Sequence, residues 1–142
     1  MKCTKPTLAM AIAIGIVSAT VTAGDEEIDT NPAMNAAQAW LATIDAGRYA
    51  QGWEDASEFL RNMTPKAQWE TSLAAARSKL GGVVARKMRS ANYVKDPPNV
   101  PAGEYVVIQY DTRFENRPVS GEVVTPTREK DGLWRVADYN IK

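Results

Sequence analysis

The feature that most constrains this chain is a helical run over residues 33–80, which carries three of its four tryptophans. At helical spacing it reads Ala33, Ala37, Trp40 and Ile44, then Tyr49, Trp53, Ala56 and Leu60, then Trp69, Leu73, Ala76 and Leu80. The last two sets fall at i, i+4, i+7 and i+11, which lines one side of a 3.6-residue helix. Each stretch therefore has an aromatic-led apolar face that must be covered. Only the strand-like runs that begin at Val83 can cover it.

Local punctuation divides the run. Asn31 can cap a helix that Pro32 opens, and Gly47 suits the left-handed position that ends it. A second helix is expected from about Arg48 to Leu60. Thr64 and Pro65 then start a third, which Gly81 and Gly82 end. Beyond Gly82 the period becomes two. Residues 83–94 alternate poorly and read as an edge or bent strand. Residues 96–103 (DPPNVPAG) hold three prolines and must be a loop. Residues 105–114 are the clearest strand, with Val106, Ile108, Tyr110, Thr112 and Phe114 on one face and Tyr105, Val107, Gln109, Asp111 and Arg113 on the other. Residues 119–128 run back, with Pro126 marking an edge or bulge. A hairpin signal at Lys130, Asp131 and Gly132 leads to a last strand over residues 133–141. The expected class is α+β, with three N-terminal helices packed on a curved antiparallel sheet of about four strands.

The first residues read as an address. Lys2 and Lys5 form a positive start, residues 8–17 are a short apolar run, and Val21, Thr22 and Ala23 offer small residues for cleavage after Ala23. The run is too short to span a bilayer comfortably, so no stable membrane span is expected after processing. Residues 1–23 are thus expected to be a signal peptide, 24–32 an acidic flexible leader, and 33–142 a single domain in the periplasm or outside the cell. Removing 23 residues from 142 leaves 119. Lys2 and Lys5 are two of the 17 basic residues, so 15 remain against 17 acidic ones, a net of −2. No clustered positive surplus exists for nucleic acid. Cys3 leaves with the signal, and the chain has no histidine.

Several motifs together carry a resemblance. They are Ala39-Trp40-Leu41, Asp45-Ala46-Gly47-Arg48-Tyr49 with Trp53, Gln68-Trp69, Leu80-Gly81 with Arg86, Gly103-Glu104-Tyr105-Val106-Val107, Glu122-Val123-Val124-Thr125 and Trp134-Arg135-Val136. Over residues 36–141 the chain resembles the bacterial domain of unknown function 4019 family. Asp138 departs from the pattern, in which glycine is expected before the tyrosine at 139. The resemblance implies a small exported protein and, more loosely, a cone-shaped fold similar to the nuclear transport factor two and cystatin-like superfamily. It implies no activity.

Without histidine or a mature cysteine there is no Cys–His pair, no Ser–His–Asp triad and no zinc site of the usual kind. No metal ligand set, phosphate loop or other cofactor motif is recognisable, so no cofactor is expected. The catalytic candidates are Asp111 and Glu122, with Tyr110 or Tyr139 as hydrogen-bond donors and Arg86 or Arg128 as charge partners. A carboxylate buried in an apolar cone is fit for proton transfer. The same residues also read as ordinary structural ion pairs. Trp40, Tyr49, Trp53, Trp69, Tyr110 and Trp134 read either as the lining of a pocket for a flat or lipid-like ligand or as plain core. Arg77, Lys79, Arg86, Lys87, Arg89 and Lys95 form a basic cluster that suits anionic envelope polymers or is simply solvated.

The expected function is an exported, non-catalytic binding or assembly module. Its partner is a small apolar ligand or a protein, with a homodimer through the sheet face bearing Tyr105 and Val107. The alternative is a small-molecule isomerase or lyase using Asp111 or Glu122. Mass spectrometry of the protein from its own host is expected to find Gly24 at the N-terminus; an intact Met1 overturns export by cleavage.

Overall fold

A computed structural model describes residues 27–142. The expected signal peptide lies outside the described residues, as does the first part of the leader. Eight elements follow in order: α1 (Asn31–Asp45), α2 (Tyr49–Glu54), α3 (Glu58–Met63), α4 (Lys66–Leu80), β1 (Val83–Lys95), β2 (Glu104–Phe114), β3 (Arg117–Arg128) and β4 (Trp134–Ile141). The class is α+β, with the helices preceding a four-stranded antiparallel sheet in the order β1-β2-β3-β4. Short turns leave each strand its sequence neighbour as the nearest partner. Among the described residues no helix is long and apolar enough to cross a membrane.

The second expected helix is broken in two. Ser57 is extended, and its hydroxyl accepts the Leu60 N–H at 3.2 Å, so it caps α3. Its own N–H donates to the Val136 carbonyl at 2.9 Å, tying the break to β4. A buried serine with both partners supplied outweighs continued helix. Caps elsewhere shift by one residue. Thr30 precedes α1, with Pro32 in its first turn. Thr64 does not cap α4 with its side chain; it ends α3, its N–H donating to the Leu60 carbonyl at 3.1 Å, and its own carbonyl accepts the Trp53 indole N–H at 2.9 Å.

The sheet is uneven for stated reasons. β1 is an edge strand with register shifts between Val83 and Ala85 and between Met88 and Ser90, which explains its poor alternation. Pro126 lies at a register shift between β3 and β4, so the proline marks a bulge rather than an edge. Along β2, Val106, Ile108, Tyr110, Thr112 and Phe114 are all buried, as the alternation requires, while Gln109, Asp111 and Arg113 are exposed. Tyr105 corrects the sequence reading. It is only 4% exposed although it belongs to the outward set, because the proline loop folds back and the Pro101 carbonyl accepts its hydroxyl at 2.7 Å.

The core is centred on Trp40. Its ring lies 6.0 Å from Trp69 and 5.2 Å from Tyr139, tilted in both cases. Its indole N–H donates to the Gly52 carbonyl at 2.8 Å, so α1 and α2 meet closely. A Cβ on Gly52 would stand 2.5 Å from Ile44 Cδ1 and 3.2 Å from Trp69 Cη2. Ile44 is fully buried and has nowhere to retreat. Gly52→Ala is therefore expected to lower stability by about 1–3 kcal/mol in urea unfolding, despite alanine's better helix propensity; unchanged or increased stability refutes the close packing.

Candidate functional site

Glu122 is completely buried on the inner face of β3, opposite Tyr110. Arg86 of β1 donates to both of its oxygens, from Nε at 2.7 Å and from Nη2 at 3.1 Å. The Thr112 hydroxyl donates to Oε1 at 2.6 Å, and the Tyr139 hydroxyl donates to Oε2. A carboxylate offers about four lone-pair sites, and all are taken. Arg86 also forks onto Asp45, at 2.7 and 3.1 Å. Arg77 of α4 donates to Asp45 at 2.7 Å and to the Tyr139 hydroxyl at 3.3 Å, while its guanidinium lies over the Phe114 ring at 5.3 Å. Two guanidiniums thus balance two carboxylates across α1, α4, β1, β2, β3 and β4.

The electrostatics follow from that wiring. Asp45 is the last residue of α1, where the helix dipole disfavours an anion. Burial pushes its carboxyl upward, but hydrogen bonds and charge from Arg86 and Arg77 outweigh this and hold it below the ordinary range. Burial, reinforced by the Glu122 carboxylate, pushes the Tyr139 phenol far up, so it stays a donor. Burial also raises Tyr110.

The other expected site residues scatter. Asp111 is exposed on the outer face and pairs at 3.6 Å with an equally exposed Arg89. Tyr110 lines a small cleft with Arg86 and Met34. Tyr49 lines a second cleft with Glu54 and Glu70, and Trp40 and Trp134 share a third with Leu133. Trp53 packs against the core. Arg128 pairs with Glu104 at 3.4 Å, away from Glu122. The six aromatics do not converge on one cavity. Asp45, Arg77 and Thr112 were missed as site residues, although Arg77 and Thr112 signalled themselves as polar groups within apolar periodic stripes.

Trp69 instead lines a groove of about 580 Å³ between α3, the start of α4, the proline loop and the sheet, together with Phe59, Met63, Tyr105, Val107 and Tyr139. That volume lies within the usual range for small-molecule sites. Its loop wall is stapled: Asp96 donates its N–H to the Gly103 carbonyl at 2.8 Å and accepts the Gly103 N–H on its side chain at 2.7 Å. Asp96 (φ 50°) and Asn99 (φ 66°) hold left-handed conformations, which these residue types tolerate. Among the described residues no carboxylate group is arranged to hold a metal ion.

The buried cluster predicts an acid limb in stability. Because the Asp45 pKa is lowered on folding, its contribution is complete above the unfolded value of about 3.9 and is lost as pH falls through the lower folded value. Unfolding measured from pH 7 to pH 2 is expected to show this loss, and Asp45→Asn to flatten it. Arg86→Ala is expected to cost about 3–5 kcal/mol at pH 7, since it removes both guanidinium hydrogen bonds from a buried carboxylate and leaves only Arg77, 4.0 Å away, to face it. An Arg86→Ala loss below 1 kcal/mol refutes the assignment.

No curated protein and no solved structure was found to match the chain. The cone-fold likeness therefore rests on the sequence motifs alone. A family match covers residues 36–139, under the description "Protein of unknown function (DUF4019)". That span takes in Asp45, Arg77, Arg86, Thr112, Glu122 and Tyr139, and the chain belongs to the DUF4019 family.

Proposed function

We propose that the chain is an exported, non-catalytic module that binds a small apolar molecule in the groove beside α3. The observation that carries this is the saturation of Glu122. A general base must present a free lone pair toward its substrate. Every acceptor position on Glu122 is occupied by Arg86, Thr112 or Tyr139. Asp111, the other carboxylate candidate, is solvated and lies outside the apolar interior. What remains is a concave surface whose lining is largely aromatic and aliphatic, the kind that takes ligands by burial. Export is supported by the charged start, apolar run and small-residue cleavage site at the N-terminus. On this reading the domain works in the periplasm or outside the cell.

Self-association is the weaker form of this reading. With Tyr105 covered, the outer sheet face offers Val107 and Val123 among exposed Gln109, Asp111 and Asn140. A face this polar lacks the apolar centre of a strong dimer.

Titration with 2-naphthol, followed by methyl NMR, tests the groove. Shifts are expected at Val107 and Ala137, with Ile108 and Val124 in the core left in place. Shifts confined to residues around Tyr110 and Arg86, or no saturable change at millimolar probe, overturn the proposal.

A further inference from the structure

From the charge on the groove wall we infer that its ligand is an organic cation, an ammonium group carried on a flat or branched apolar body. This rests on the groove reading above and names the ligand class for the same site. Among the described residues lining the groove, Asp138 is the only charged one. Asp138 is exposed at the rim of the groove, and its pairing differs from that of Glu122, Asp45, Asp131 and Glu129. Glu122 and Asp45 are each held by arginine, and Asp131 and Glu129 both pair with Arg135. Asp138 has no cationic partner within ion-pair distance among the described residues. One of its oxygens accepts from the Asn140 side chain at 2.6 Å, and the other has no hydrogen-bond partner there.

The rest of the wall suits the same ligand. Phe59, Trp69, Tyr105 and Tyr139 contribute aromatic surface to the groove. Aromatic faces carry negative quadrupole charge and attract weakly hydrated ammonium groups, most strongly where water is excluded. Groove-lining aromatics with one uncompensated carboxylate form a field of a single sign. An anionic amphiphile such as a fatty acid meets repulsion there and finds no arginine or lysine in the lining to receive it. A neutral ligand gains burial alone. An organic cation gains burial, ring attraction and the Asp138 charge together.

Three naphthyl probes decide the matter by calorimetry on the full domain: (2-naphthylmethyl)trimethylammonium, its uncharged isosteric tert-butyl analogue, and the anionic 2-naphthylacetate. The ammonium is expected to bind about tenfold more tightly than the neutral isostere, and the carboxylate more weakly than both. Asp138→Asn, a change at an exposed position, is expected to weaken the ammonium several-fold and leave the neutral probe unchanged. Equal affinities for the ammonium and the neutral isostere overturn the inference while the groove reading stands. So does an ammonium preference that Asp138→Asn leaves undiminished. Failure of all three probes to bind overturns the groove reading and this inference with it.

Discussion

The fold depends on the forked contact between Arg86 and Glu122. A carboxylate with no exposed surface costs several kcal/mol to bring out of water unless an opposite charge and further donors meet it. Here the guanidinium comes from the edge strand, a hydroxyl from the next strand and a phenol from the far side of the sheet. The same guanidinium then reaches the end of α1 at Asp45. The contact therefore fixes strand register and helix position at once. A slip of β1 by one residue would turn Arg86 to the solvent face and strand Glu122 in the interior. Hydrophobic packing around Trp40 supplies adhesion, whereas the ionic cluster selects one arrangement among those that packing alone would permit.

Much of this was legible in the sequence. The aromatic stripes gave the helices most of their buried sides, although Ala76 is exposed and Arg77 is buried in its place, and the alternation in residues 105–114 gave β2 both of its faces apart from Tyr105. Pro126 announced an irregularity that proved to be a bulge. The pairing of Arg86 and Tyr139 with Glu122 was among the combinations that residue chemistry allowed. What could not be read was long-range or depended on competing caps. Ser57 breaks a helix because a carbonyl on β4 receives its N–H, and no local pattern carries that information. Asp45 joins the cluster from 41 residues away in sequence. Tyr105 is covered by a loop whose path depends on a staple between its two ends.

The ionic cluster and the groove meet at Tyr139. The ionic cluster lies in the interior and leaves no acceptor on Glu122 free, so its chemistry serves architecture. The groove lies where a short helix, a loop and the sheet meet; Tyr139 and Trp69 belong to both its wall and the interior, while the α3 and proline-loop side of its lining can change without disturbing that interior.

The proline loop gives that cleft a kinetic character. Three prolines, a doubly bonded neck and two left-handed residues leave the wall few alternative shapes. On the proposed reading, a guest arriving from solution finds the wall already set and freezes little backbone motion by settling against it. Its capture then depends on encounter frequency rather than on waiting for a rare open form, and its dwell time on how well its outline fills a fixed mould.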